Sequence, residues 1–240
     1  MKAETIRYLN DINRAFYQQT ADHFDATRQH PWAGWDRLKP YLPPIAPLRV
    51  LDVGCGNGRF GAWLHAAHNA RIHYHGVDNN PSLLDYARES LANLEQLHLT
   101  ETDLVTGDLT SGTYDLIGVF GVIHHIPGAG NRRELLRKLA DQLAVGGVLV
   151  WAAWRFYDYP HLRDRVRAWD QEHQCEPGDY LLDWRRGTVA IRYCHHVDDD
   201  EHDQLVRACR LNELIRFRAD GRDDRMNMYS VLRKDSASNS

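Results

Sequence analysis

The sequence predicts an α/β fold: a mostly parallel sheet with helices on both faces and a terminal antiparallel hairpin. Three observations predict it. Short apolar runs alternate with amphipathic stretches from residue 49 to residue 153, as right-handed βαβ crossovers require. A glycine-rich turn, VLDVGCGNG over residues 50–58, follows the first run directly. The fourth run, Tyr114–Val122, is almost continuously apolar, as a strand covered on both faces should be.

The elements follow in order. Ile6, Leu9, Ile12, Phe16 and Tyr17 mark a helical stripe within residues 5–24, and Trp32, Trp35, Leu38 and Tyr41 recur every three residues before Pro43. Together they predict a helical N-terminal cap over residues 1–44. Strands are expected at Arg49–Val53, Ile72–Val77, Leu97–Thr102, Tyr114–Val122 and Val148–Ala153. Helices are expected at Phe60–Ala67, at Pro81–Leu94 with Pro81 near its first turn, and at Glu134–Leu143 before Gly146 and Gly147. Residues 155–190 break the rhythm and read as an insertion near the site, partly helical around His161–Trp169. Val189–Tyr193, a helix at Glu201–Cys209, and strands Leu214–Arg218 and Met228–Leu232 complete the sheet. A single domain thus spans 1–234, with a disordered tail at 235–240.

Composition narrows the function. The chain has 240 residues, 43% hydrophobic and 26% charged, with a formal net charge of −4. No global basic field exists to hold nucleic acid without specificity, though a local basic site is compatible with this balance. The first ten residues carry no apolar targeting core, and the run Gly147–Trp154 is too short to cross a bilayer, so a cytoplasmic protein without membrane partners is expected. Four cysteines without a C-x-x-C pair suit a reducing compartment and disfavour a thiolate zinc site.

The glycine loop carries the chemistry. Gly54, Gly56 and Gly58 let the backbone turn sharply and approach a ligand, and the next helix points its N-terminus at the same place. A dinucleotide fingerprint needs its last glycine where this chain has Arg59. Asp52, at the end of the strand, would repel a pyrophosphate but suits the ammonium and sulfonium of S-adenosylmethionine. Asp78, followed by Asn79, ends the second strand, where an acid accepts from ribose hydroxyls. Thr102, Asp103 and Leu104 end the third, where a carboxylate can meet an adenine amino group and Leu104 its ring; Asp108 is the alternative to Asp103. Cys55 and Asn57 complete the expected loop contacts.

These residues resemble the class I S-adenosylmethionine-dependent methyltransferases, over roughly residues 45–155. The resemblance implies a Rossmann-like seven-stranded sheet, and it assigns the segment Phe120, Gly121, Val122 to His125 to the methyl-transfer site. The product would be S-adenosylhomocysteine. Other short segments are similar to the tRNA wobble-uridine carboxymethyl methyltransferases: Phe16-Tyr17, Phe24 to Arg28, Pro31-Trp32, Gly121 to Ile126, Arg132-Arg133, Trp151 to Trp154, Asp179 to Trp184, Arg192-Tyr193 and His195. That family esterifies a carboxymethyl group on the first anticodon uridine. The resemblance implies tRNA as acceptor and, as in eukaryotic relatives, a small zinc-binding activator protein as a possible partner.

An ionised carboxylate is already a nucleophile, so the site needs a cation to place it rather than a base. Arg28, Arg155 and Arg192 are the candidates, with His125 and His195 as further donors and Tyr17 closing over the methionine end of the cofactor. The chain departs from the family pattern at His196-Val197, where an aromatic is usual, and in the acidic run Asp198–Glu201, which would repel a phosphate backbone. A small-molecule O- or N-methyltransferase and a catalytically silent cofactor-binding subunit therefore stay open; an oxidoreductase is least compatible with Asp52 and Arg59.

Other features have plainer readings. His124-His125 lack spaced partners for a metal, and His195, His196, Glu201 and His202 read as a solvated loop, so no metal site is expected. Trp32, Trp35 and Trp184 read as packing before base stacking. Arg132, Arg133, Arg137 and Lys138 read as the polar face of a helix, while Arg185-Arg186 is the expected phosphate patch.

Overall fold

The computed structural model describes residues 1–68, 71–109, 111–169, 175–186 and 188–236. The chain opens with helix α1 (Ala3–Ala26) and a 3-10 segment at Ala33–Tyr41, whose three-residue repeat matches that helix type. Strand β1 (Leu48–Val53), helix α2 (Arg59–His68), β2 (Ile72–Asp78), α3 (Pro81–Ser90), β3 (Gln96–Glu101), β4 (Tyr114–Phe120), α4 (Ala129–Asp141) and β5 (Leu143–Trp154) follow. Then come a short helix α5 (Pro160–Arg163), β6 (Val166–Arg167), β7 (Asp179–Arg186), β8 (Thr188–His195), α6 (Asp199–Cys209), β9 (Asn212–Ala219) and β10 (Asn227–Arg233).

Seven strands form one sheet in the order β3-β2-β1-β4-β5-β10-β9. Strands β1 to β5 are parallel, and β10 runs antiparallel to both β5 and β9. Chain order reverses between β1 and β4, so their carboxyl ends flank a crevice, the place where open α/β sheets bind ligands. Every residue of β4 is buried. One core layer joins α4 and α6 to one face of the sheet; another joins the 3-10 segment, α2 and, just after α3, Leu91 and Leu94 to the other. Helix α3 begins with Pro81 in its first turn and Asn80 as N-cap, whose side chain accepts from the Leu83 amide at 3.0 Å. Among the described residues no helix is long and apolar enough to cross a membrane.

Three expectations change. Val189–Tyr193 does not join the main sheet: it lies in β8, part of a separate three-stranded antiparallel sheet ordered β6-β7-β8. The stretch read as a partly helical insertion does hold the short helix α5, but its strands belong to this small sheet, which continues to His195. Helix α1 packs against β8, with Leu9 against Leu181 and Tyr193, and Phe16 against Trp184 and Ala190. Arg132 is not on the polar face of its helix. It is 1% exposed and donates to Glu201 at 2.7 Å, to the Ile126 carbonyl at 3.0 Å and to Glu176 at 3.3 Å. The acidic run has a local explanation: Asp198 caps α6 by accepting from the Glu201 amide at 2.8 Å, and Asp199 pairs with Arg155 at 3.0 Å. Residues 237–240 of the expected tail, and the side chains of Arg185 and Arg186, lie outside the described ones.

Candidate active site

A cavity of about 650 Å³ opens at the carboxyl ends of β1 and β4. Its inner wall is the glycine loop. Gly54, Gly56 and Gly58 have φ of 69°, 53° and 78°, conformations that a side chain would strain. The loop hangs on the end of β2: the Gly54 and Cys55 amides donate to the Val77 carbonyl at 2.8 and 3.0 Å. A Cβ at Gly54 would sit 2.3 Å from the Val122 side chain, so this glycine lets the loop and the turn after β4 touch.

Asp52, Asp78 and Asp103 stand at three successive strand ends and line this cavity. Asp78 accepts from the Gly56 amide at 2.9 Å and the Asn80 amide at 3.0 Å; burial raises its pKa against those bonds. Burial pushes Asp52 up to about 7, the hydrogen bond from the Tyr74 hydroxyl opposing and the charge of Asp78 adding. Asp103 accepts from Asn10 and from the Val105 amide, both at 2.8 Å; burial works against its ionisation, but these bonds win and hold its pKa low. Asn79, Thr102 and Leu104 line the cavity beside them, and Asp108 does not.

The opposite wall comes from the turn after β4 and from α1. Phe120, Gly121, Val122 and His125 line the cavity, as do Cys55 and Asn57 of the loop. The Asn57 side chain points away, donating to Asp25 at 2.9 Å and to the Arg28 carbonyl at 3.2 Å, which ties the loop to the end of α1. His125 places Nδ1 at 2.9 Å from the Tyr193 carbonyl and Nε2 at 2.9 Å from the Tyr17 hydroxyl. The carbonyl only accepts, so Nδ1 carries the proton and the Tyr17 hydroxyl donates to Nε2. Burial, reinforced by Arg192, lowers the His125 pKa to about 3, so the ring stays neutral.

The outer half is cationic and aromatic. Arg28 lies over Phe24 at 4.3 Å, Arg59 over Trp32 at 5.6 Å, and Arg192 over Trp154 at 4.7 Å. Burial and the nearby Arg28 lower the Arg59 pKa to about 10, a mark of cations crowded around one opening. Arg165 also lines the cavity. The carboxylate in this half, Asp220, is committed: it accepts from the Gly34 amide, the Asn227 side chain and the Tyr229 hydroxyl at 2.8, 2.8 and 2.6 Å.

Two expected acceptor contacts lie elsewhere. Arg155 is 6% exposed and donates to the Val197 carbonyl at 2.9 Å, away from the cavity. His195 is clamped between Asp179 at 2.7 Å and Glu201 at 2.5 Å. Both are fastenings of the chain, drawn inward by carboxylates whose positions only the fold reveals. Conversely, Asn10 and Asn13 were hidden in the α1 stripe. Asn13 accepts from the Tyr193 amide at 2.8 Å and donates to the His125 carbonyl at 3.3 Å. Two buried asparagines three residues apart on an apolar face were the available signal. Arg59 and Trp154, which the sequence placed in motifs without a role in the site, also line the cavity, as do His161 and Arg165, which no motif marks.

The residues present fit S-adenosylmethionine. The glycine loop leaves room for close approach, Asp78 and Asp103 face the same space from adjacent strand ends, and Asp52 lies buried where a cation would meet it.

A family profile described as a methyltransferase domain matches residues 51–149. The mouse protein named tRNA (carboxymethyluridine(34)-5-O)-methyltransferase ALKBH8 is 31% identical over 145 residues, 59% of this chain and 20% of that protein. A tRNA U34 carboxymethyltransferase of Aliivibrio fischeri is 30% identical over 131 residues, 53% of this chain and 38% of that one. The matched part of this chain thus spans less than half the length of these curated relatives. Among solved structures, an S-adenosylmethionine-dependent methyltransferase of Clostridium acetobutylicum superposes with a TM-score of 0.66 at 14% identity, over 92% of this chain and 99% of the other. The N-methyltransferase NodS of Bradyrhizobium japonicum, in complex with S-adenosyl-L-homocysteine, superposes with a TM-score of 0.58 at 17% identity, over 92% of this chain and 100% of the other. The sheet order, the glycine loop, the acids at its strand ends and these likenesses agree: the chain carries a methyltransferase domain over residues 51–149, on the fold of the S-adenosylmethionine-dependent methyltransferases.

Proposed function

We propose that the protein methylates the carboxylate of a carboxymethyl group on the first anticodon uridine of a tRNA, giving the methyl ester. The observation that carries this reading is the charge of the outer cavity: Arg28, Arg59, Arg165 and Arg192 line it, against the already committed Asp220. A wall of that kind favours an anionic acceptor over a neutral amine or phenol. The names of the relatives in mouse and Aliivibrio point to the same nucleoside.

When bound, S-adenosylmethionine supplies an electrophilic methyl group on a sulfonium. The acceptor's carboxylate oxygen forms a bond to the methyl carbon as the C–S bond breaks, its electron pair staying on sulfur. One negative and one positive charge vanish and no proton moves. That suits a site in which the neighbouring imidazole, His125, has both nitrogens engaged. The protein's work is alignment and exclusion of water.

The test is transfer of label from radioactive cofactor into fractionated cell extract. Label is expected in the small-RNA fraction, sensitive to nuclease and released by mild alkali. Alkali-stable label would exclude the ester, and nuclease-resistant label would turn the reading toward a metabolite.

A further inference from the structure

Arg192 is built differently from the other cations of the cavity. It projects from β8 into a cage whose walls come from three parts of the chain: Phe16 of α1, Trp154 at the end of β5 and Trp184 of β7. Its guanidinium carbon lies 5.3, 4.7 and 5.7 Å from those ring centroids. Ring faces hold a cation in place and leave its N–H groups, which lie in the guanidinium plane, without acceptors. Its Nε is buried and makes no hydrogen bond, and among the described residues no carboxylate pairs with it. Arg28 differs, since it donates to the Thr27 hydroxyl at 2.6 Å, and Arg59 differs, since it donates to the His30 carbonyl at 3.1 Å.

A buried N–H donor on a cation without acceptor or counter-ion is costly unless a ligand supplies them. The required ligand has two acceptor oxygens and a negative charge, and it must enter the cavity that Arg192 lines. The group sits beside the reacting end of the site, because its charge acts on Tyr17, His125 and Cys194.

We infer that Arg192 is the receptor for the acceptor's carboxylate and the residue by which the protein selects a carboxymethyl group over its neutral amide. The inference rests on the function proposed above and narrows it to one side chain. The three-stranded sheet gains a role from it, since β7 and β8 deliver both the guanidinium and one wall of its cage. Because the carboxylate loses its charge as the ester forms, its contact with Arg192 is stronger before the reaction than during it. Arg192 therefore binds and selects, and its loss falls on KM more than on kcat.

The test is calorimetric binding of the nucleosides 5-carboxymethyluridine and 5-carbamoylmethyluridine to the full chain, with S-adenosylhomocysteine present to fill the inner half. The wild type should prefer the carboxylate by about tenfold or more, as charge-assisted pairing implies. Arg192→Met should erase the preference, and Arg192→Lys should retain part of it. Binding of S-adenosylhomocysteine itself should stay within about twofold in both variants, which also shows that they fold. Undiminished preference in Arg192→Met overturns the inference, as does a wild type that does not discriminate. Turnover on an anticodon stem-loop carrying 5-carboxymethyluridine separates the two claims. Ester formation with a preference indifferent to Arg192 leaves the function standing and removes this inference. A preference that depends on Arg192, without methyl transfer to the RNA, keeps the carboxylate site and removes the function.

Discussion

Asp52 shows what a single side chain contributes. A buried carboxylate with a pKa near 7 is about half protonated at neutral pH, although its site would receive a cation. A positively charged ligand favours the ionised form, so binding releases a proton and tightens as pH rises through 7. Affinity for S-adenosylmethionine should therefore be roughly tenfold weaker at pH 6 than at pH 8, since a carboxyl titrating near 7 is about one-tenth ionised at pH 6 and about nine-tenths at pH 8. S-adenosylhomocysteine, one positive charge poorer, should show a shallower slope. Asp52→Asn should bind weakly and lose the pH dependence. Calorimetry in buffers of different ionisation enthalpy would count the released proton. If the variant kept both wild-type affinity and slope, Asp52 would have no part in holding the cofactor. The position of this acid, two residues before the first glycine, was legible in the sequence. Its raised pKa was not, because it depends on burial and on the charge of Asp78 at the end of the neighbouring strand.

At the scale of elements, the glycine loop and the turn after β4 form one unit. Gly54 has a φ of 69°, and a Cβ there would lie 2.3 Å from Val122. Gly54→Ala therefore has to strain the backbone and displace the turn that leads to His125. Gly146 isolates the first of these costs: its φ is 78°, but nothing lies within 4 Å of its Cβ position. Gly146→Ala should cost about 1–2 kcal/mol of stability through backbone strain alone and leave cofactor affinity unchanged. Gly54→Ala should cost more and weaken cofactor binding by about tenfold or more, since displacing packed side chains costs a further 1–3 kcal/mol. Adding Val122→Ala should restore part of the loss. Thermal melts with cofactor titrations would settle the order, and equal effects at the two glycines would contradict it. The strands and helices of residues 48–154 were legible because burial on both faces writes itself as continuous apolar runs. Val189–Tyr193 was misplaced because apolar alternation identifies a strand without saying which sheet receives it. The real neighbours of β8 are β7 and helix α1.

Across the whole molecule, a buried polar chain fastens the small sheet to the large one, and no local pattern announces it. Arg132 of α4 joins Glu201 of α6 to Glu176 ahead of β7, and His195 of β8 joins Glu201 to Asp179. Both nitrogens of His195 face carboxylates, which only accept, so the ring must carry two protons and a positive charge. Burial opposes that charge, but the bonds to Asp179 and Glu201 prevail and raise the pKa above its ordinary value. A histidine whose folded pKa is raised gives stability that is complete below its unfolded pKa and is lost as pH rises through the folded one. The difference in melting temperature between the wild type and His195→Asn should therefore be large at pH 6 and shrink by pH 9. Because the clamp holds β8, the same rise in pH should loosen the cage around Arg192 while the glycine loop, fixed to β2, keeps its place. Hydrogen exchange at pH 9 should accordingly rise first in β7 and β8. Were the melting difference constant from pH 6 to pH 9, His195 would be a neutral packing residue and its charge would have no part in joining the two sheets.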